Sequence, residues 1–195
     1  MIKIAITGPE STGKSWLSRS LSEVFNAPWV MEYARIYLES LNQPYTIKDV
    51  IAIARGQRLW ERGKEVLQPS WLFCDTDMTV CRVWCEVKYG YCPDPVLDLY
   101  HQDDYHLYLL CAPDLPWEPD PLREHPSYRW ELFEMYRTHL NQKGIPWHSI
   151  QGVGTQRLIL AMEILANAFP GHVPEDAFAR ARDRDVSSSN PLYLP

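Results

Sequence analysis

The sequence lacks an excess of positive charge: 19 Lys and Arg stand against 25 Asp and Glu, for a formal charge of −6. A protein whose main ligand is DNA or RNA needs a basic face to neutralise phosphates, so nucleic acid is not the expected partner. The sequence also lacks any apolar run approaching the ~18–20 residues that span a bilayer. Its start, MIKIAITG, turns to glycine too soon for a signal peptide. The expectation is a cytoplasmic protein with no membrane partner. Close Cys-x-x-Cys pairs are missing too. The five cysteines, Cys74, Cys81, Cys85, Cys92 and Cys111, are odd in number, which argues against a disulfide framework, a zinc module or a redox motif. Cys81 and Cys85 would share a helix face and could meet a metal with Cys92 or His101, but reduced, buried thiols account for them more simply. There is no internal repeat. At 195 residues the chain suffices for one buried core and not for two, and the sequence assigns no oligomeric state.

What is present is an alternation of short apolar runs with helical patterns. Ile2 to Ile6 reads as a strand stopped by Gly8-Pro9, and Leu17, Leu21, Val24 and Phe25 then recur at helical spacing. Trp29-Val30-Met31 reads as a second strand, followed by a helix from Ile47 to about Leu67. Trp71 to Cys74 is a third strand, closed by Asp75-Thr76-Asp77 and followed by a helix through Val80, Val83, Trp84 and Val87. Tyr105 to Cys111 is a fourth. The proline-rich stretch behind it, APDLPWEPDPLREHP, cannot be helical. Leu132 to Leu140 pattern a helix, Ile145 to Ile150 a fifth strand and Leu158 to Phe169 a last helix. Such alternation predicts an α/β fold, a mostly parallel sheet covered on both faces. The expected division is one domain over residues 1–169, with a lid at about 113–127, and a loosely structured tail over 170–195 that gains proline, serine and charge.

GPESTGKS, residues 8–15, satisfies G-x-x-x-x-G-K-[ST] between a strand and a helix, the arrangement that aims backbone N–H groups and a helix N-terminus at a phosphate chain. Gly8 and Gly13 permit the turn and close approach. Lys14 would reach the β- and γ-phosphates, and the Ser15 hydroxyl would ligate magnesium. Glu10, Ser11, Thr12 and, at the helix start, Trp16 complete the expected nucleotide-binding set, and ATP with Mg2+ is the expected cofactor.

Phosphoryl transfer also needs a carboxylate for magnesium or for the acceptor's proton, and positive charge for the migrating group. Asp75 and Asp77 end the third strand, and side-chain alternation predicts that both leave the same side. Asp75 is the expected magnesium partner, and Asp77 would take the acceptor hydroxyl. A polar strand end capping the next helix is the alternative. Glu32 and Arg35 follow the second strand at the same edge, Glu32 as a rival general base and Arg35 as a phosphate or carboxylate partner. Arg123 and Arg129 lie in or beside the lid stretch, with Glu118 and Asp120, where closure would exclude water. Gly152 to Gly154 offers backbone for a nucleobase, or only a turn.

With GPESTGKS, EYAR, FCDTD and PWEPDPLREHPSYR in view, the chain resembles the ribosylnicotinamide (nicotinamide riboside) kinase domain of NadR-type proteins from about Ile2 to Phe169. Glu10 within the loop is part of that signature. The resemblance implies a P-loop NTPase α/β/α sandwich with strand order 2-3-1-4-5. It also implies MgATP as donor and the 5′-hydroxyl of nicotinamide riboside as acceptor, with working roles for Lys14, Ser15, Asp75, Asp77, Arg123 and Arg129. The sequence departs from the pattern at Pro121, Trp16 and Ala34. NadR-type proteins often place an adenylyltransferase domain, and sometimes a DNA-binding domain, before the kinase, whereas this chain starts at the kinase's first strand. The expectation is therefore no NAD synthesis from the mononucleotide and no repressor function. The residues leave open another nucleoside or nucleotide acceptor, or an ATP-dependent switch or ATPase with a protein partner. Trp29, Tyr33, Tyr37, Trp60 and Trp84 suit a pyridinium cation and would equally serve as core.

Overall fold

The computed structural model describes residues 1–187; the last eight residues of the expected tail lie outside the described residues. In chain order the elements are β1 (Ile2–Thr7), α1 (Lys14–Phe25), β2 (Trp29–Val30), α2 (Tyr33–Glu39), α3 (Ile47–Glu65), β3 (Trp71–Asp75), α4 (Met78–Tyr89), α5 (Asp94–His101), β4 (Leu107–Cys111), α6 (Arg129–Lys143), β5 (Trp147–Ile150), α7 (Thr155–Ala168) and α8 (Ala177–Ser187). The five strands form one sheet in the order β2-β3-β1-β4-β5, and every pairing is parallel. Because parallel strands need crossovers that lay helices on both faces, the strands must be apolar throughout. β3 and β4 are buried along their whole length.

Alternation along the strands divides the core. Ile4, Ile6, Phe73, Leu107 and Leu109 pack against Leu17, Leu21 and Val24 of α1 and Leu158, Met162 and Leu165 of α7. Ala5, Leu72, Cys74, Tyr108 and Leu110 face the other way, onto Val83 of α4 and Leu132, Tyr136 and Leu140 of α6. A third cluster joins α3, α4 and α5 through Val50, Ile53, Met78, Cys81, Cys85, Val96 and Tyr100. Four of the five cysteines are buried there or in the sheet, and no group of three or more His, Cys, Asp or Glu able to hold a metal occurs among the described residues. No helix among them is long and apolar enough to cross a membrane.

Lys3 departs from the apolar reading of β1. It is 1% exposed and its ammonium lies 2.9, 2.6 and 2.7 Å from carboxylate oxygens of Glu61, Glu65 and Asp104. Burial alone would lower its pKa, but Glu61 and Asp104 outweigh that and raise it. A lysine is tolerated inside the sheet because its charge is matched there, and removing one partner would leave a buried charge uncompensated.

The expectation of a loosely structured tail fails between residues 177 and 183. After Pro170 the chain turns back as α8, and Ala177 and Ala181, one helical turn apart, are fully buried against the α1–α7 face. Its fully buried positions are alanines, with Phe178 partly buried beside them, and the surrounding charges hide this short stripe from a periodicity search. We expect Ala181→Glu to destabilise the protein by ~3 kcal/mol or more through a buried, unpaired charge, while Arg182→Ala on the exposed side changes stability by less than about 0.5 kcal/mol; thermal unfolding of the two variants measures the difference.

Candidate functional site

The loop between β1 and α1 is held in a conformation that only its own sequence permits. Gly8 has φ +132°, and a Cβ there would lie 2.7 Å from the Cys111 carbonyl oxygen. The close approach that Gly8 serves is thus to the end of β4, beneath the loop, rather than to phosphate oxygens. Gly13, at φ 74° and ψ 21°, forms the left-handed cap of α1. Thr12 is buried and donates its hydroxyl to the Pro9 carbonyl at 2.8 Å, and Lys14 Nζ donates to the same carbonyl at 2.7 Å. Among the described residues no carbonyl accepts from the backbone N–H groups of Glu10 to Ser15. A run of unspent donors at a helix N-terminus fits an anionic phosphate chain. Trp16 stands exposed on the first turn of α1.

The two aspartates after β3 separate. Thr76 adopts φ 87°, a left-handed conformation that is an outlier for a β-branched residue. The turn breaks the strand alternation, so Asp75 and Asp77 do not leave the same side. Asp77 is 0% exposed: its Oδ1 accepts from the Thr7 hydroxyl at 2.6 Å, and its Oδ2 accepts from Thr79 N–H at 2.8 Å as the N-cap of α4. Both of its oxygens accept hydrogen bonds from the scaffold, an arrangement that favours the alternative of a strand end capping the next helix over a meeting with the acceptor hydroxyl.

Asp75 faces the phosphate loop. The Ser15 hydroxyl stabilises its ionised form electrostatically, and its Oδ1 is buried without a partner. Hard oxygen donors from a hydroxyl and a carboxylate, one of them unpaired, fit a magnesium ion that completes its shell with phosphate and water. Burial, then the charge of Glu32, raises the Asp75 pKa to about 7, against the opposing influence of the Ser15 hydroxyl and the Lys14 charge. Glu32 sits at the turn between β2 and α2, half-buried, and its carboxylate carries no hydrogen bond or ion pair to another described residue.

That turn is seated by α3. Tyr33 N–H donates to Gln57 Oε1 at 2.8 Å, and the Tyr33 ring lies where a Cβ on Gly56 would be, 2.1 Å from its Cε1. The same ring meets Trp60 edge-on at 4.8 Å and Tyr37 at 6.0 Å. Trp84 pairs with Tyr45 at 5.0 Å, whereas Trp29 binds Ser18 of α1 through its indole N–H and belongs to the other side.

The segment between β4 and α6 contains no helix or strand and lies across the phosphate loop. Glu10 Oε2 accepts from the N–H groups of Glu124 at 2.9 Å and His125 at 3.1 Å, and Ser11 Oγ accepts from Glu118 N–H at 2.9 Å. Arg123 donates to Ser11 Oγ at 3.3 Å and to the Glu118 carbonyl. Arg129 donates to the Ser11 and Leu115 carbonyls at 3.0 and 2.9 Å. Arg35 is a carboxylate partner: it pairs with Asp120 of this segment at 2.9 Å, exposed to solvent.

Sequence reasoning missed Arg157 and Asp114. Arg157 is 1% exposed, donates to the Gly152 and Ala112 carbonyls at 2.8 Å each and also binds the Thr12 carbonyl and Asp114. Asp114 in turn accepts from Gly152 N–H at 2.7 Å. One guanidinium thus joins the phosphate loop to the ends of β4 and β5. An arginine in the first turn of a helix ordinarily reads as solvated surface, so no signal marked it. Gly56 did carry a signal, a glycine inside a helical pattern, that went unread.

Two outcomes follow from this geometry. On an unencumbered helix, Gly→Ala adds up to ~1 kcal/mol of stability; Gly56→Ala should instead cost about 1–3 kcal/mol, since Tyr33 must move, and thermal unfolding reads the sign. Asp75 holds its proton to a higher pH folded than unfolded, so its stabilising contribution is full below about pH 4 and is lost as pH rises through about 7. In nucleotide-free protein, Asp75→Asn should therefore gain on wild type in urea unfolding between pH 4 and 7 and level off above.

Comparison with known proteins agrees with this layout. The solved structure of NadR protein in complex with NR superposes at TM-score 0.69 and 22% identity, over 86% of this chain and 50% of that one. Deoxyadenosine kinase from M. mycoides with bound dATP gives TM-score 0.58 at 16% identity, over 85% of this chain and 99% of that one. These two similarities establish the P-loop kinase fold. In sequence, the chain is 29% identical over 126 residues, 62% of its length, to the trifunctional NAD biosynthesis/regulator protein NadR of Salmonella typhimurium strain LT2, of which this stretch spans 30%. A family model described as AAA domain matches residues 3–157, from the first strand through the phosphate loop to the buried Arg157, and the chain belongs to that family.

Proposed function

We propose that the protein transfers the γ-phosphate of MgATP to the 5′-hydroxyl of nicotinamide riboside, giving nicotinamide mononucleotide. The observation that carries the reading is the pairing of a donor loop, GPESTGKS, with two electrostatically linked carboxylates, Asp75 and Glu32, under an arginine-bearing segment fastened across that loop. A binding loop alone would need neither. The acceptor is supported by similarity to NadR, including a NadR structure containing NR. It is also supported by the Tyr33–Tyr37–Trp60 group beside Glu32, whose ring faces suit a pyridinium cation.

In this reading the Glu10–Ser15 N–H groups and Lys14 hold the phosphates, and Ser15 and Asp75 would hold magnesium, which supplies charge neutralisation between the β- and γ-phosphates. Glu32 takes the proton from the acceptor hydroxyl as its oxygen bonds to the γ-phosphorus. The bond from that phosphorus to the bridging oxygen breaks, and ADP leaves with the electron pair. Arg123 and Arg129, both bonded to Ser11 of the loop, would supply positive charge to the migrating group, and the segment before α6 would exclude water. Asp77 has no part in the transfer and keeps β1, β3 and α4 in register.

The deoxyadenosine kinase likeness favours one rival, another nucleoside as acceptor on the same fold. ADP formation with a panel of nucleosides separates them: kcat/KM for nicotinamide riboside should exceed that for adenosine, deoxyadenosine and uridine by about tenfold or more, the scale of one well-placed binding interaction. A clear preference for an ordinary nucleoside overturns the acceptor. Hydrolysis without acceptor, stimulated by a protein partner, would point to an ATPase switch. Lys14→Ala should lower turnover by about a hundredfold or more with an unchanged far-ultraviolet spectrum; near-normal turnover would remove the donor-loop assignment.

A further inference from the structure

We propose that Glu10 is a positioning residue that fastens the segment over the active site to the phosphate loop, so that the two are ordered as one unit. Glu10 and Ser11 occupy variable positions of G-x-x-x-x-G-K-[ST], whose side chains phosphate binding does not require, because the loop uses backbone N–H groups. Both instead reach the segment between β4 and α6. One Glu10 oxygen accepts two successive backbone donors, at 2.9 and 3.1 Å, in the manner of an anion in a backbone nest. Ser11 Oγ accepts a third, from Glu118 at 2.9 Å.

Side chains elsewhere hold the segment from 113 to 128 at Asp114, Leu115 and Asp120, but few of its backbone N–H groups bond within it. Its internal hydrogen bonds from backbone N–H groups are Arg123 to the Asp120 carbonyl at 3.0 Å, Tyr128 to the His125 carbonyl at 3.4 Å and Leu122 to the Asp120 carboxylate at 2.9 Å. Donors that a helix or strand would satisfy are satisfied here by the phosphate loop. The Glu10 grip also falls between two working ends. Arg123, immediately before it, lies 3.3 Å from Ser11 Oγ. The Glu124 carboxylate reaches Tyr45 at 2.8 Å and Lys88 at 3.1 Å on the acceptor side. Glu10 is thus the joint through which the arginine over the donor and the contact with α4 are held in one register.

The inference deepens the kinase reading and can fail separately from it. Hydrogen exchange of a peptide covering residues 119–127, in nucleotide-free protein, reads the attachment without any acceptor. Glu10→Ala should speed exchange at the Glu124 and His125 amides by about tenfold or more, and Glu10→Gln, which keeps an acceptor oxygen, should stay near wild type. With the preferred acceptor, Glu10→Ala should lower kcat by about tenfold, change KM for ATP by less than about threefold and raise the ratio of hydrolysis to transfer, with Glu10→Gln restoring most of kcat. Unchanged exchange in Glu10→Ala overturns the proposal, as does a Glu10→Gln enzyme as impaired as Glu10→Ala. If exchange responds as expected and no nucleoside is phosphorylated by the wild-type protein, the attachment stands and the kinase reading falls.

Discussion

The hydrogen bond from the Thr7 hydroxyl to the buried Asp77 carboxylate is the constraint around which the site is arranged. Thr7 ends β1, immediately before the phosphate loop, and Asp77 begins α4 while capping it. To bring Asp77 to Thr7 the chain passes through a left-handed threonine, a conformation costing on the order of 1–3 kcal/mol for a β-branched residue. In exchange, β1, β3 and α4 meet at one fixed point, and Asp75 alone turns toward Ser15 and Lys14. A carboxylate lodged at about neutral pKa beside a phosphate loop is poised to lose its proton to an arriving cation.

The phosphate loop is braced from two directions. Beneath it, Gly8 lies against the backbone of β4, and Arg157 ties the Thr12 carbonyl to the chain after β4 and β5. Above it, Glu10 and Ser11 hold the segment that carries Arg123, while Arg129 at the start of α6 grips the loop from the same side. The upper segment extends to the acceptor side through Arg35–Asp120 and through Tyr45 and Lys88 to Glu124. The contacts that fasten this segment are polar and partly exposed, over a sheet packed in apolar cores.

Much of this was legible in the sequence. The strands, the long helices and the strand–loop–helix around GPESTGKS follow from local periodicity and a motif with a physical rationale, and the strand order followed from the family resemblance. The short helices α2 and α5 went unread because seven and eight residues carry too little periodicity. α8 was hidden by its alanine stripe. Asp77 was misplaced because the alternation rule assumes an unbroken strand, and nothing about a threonine announces a positive φ. Arg157 and the Glu10 grip are long-range pairings, 145 and 114 residues apart in the chain, that no local pattern encodes.

In the proposed reaction the acceptor's proton goes to Glu32, beside Tyr33, which packs against Gly56, and Asp77 belongs to the scaffold. Single-turnover phosphoryl transfer by Glu32→Gln and Asp77→Asn tests it directly. Glu32→Gln should slow transfer by about 10²–10⁴-fold with ATP binding retained, the range for loss of a general base. Asp77→Asn, whose amide can still cap α4 and meet Thr7, should stay within about tenfold of wild type. A folded Asp77→Asn protein that has lost transfer, beside a Glu32→Gln protein that has kept it, would give the base role to Asp77 and remove it from Glu32.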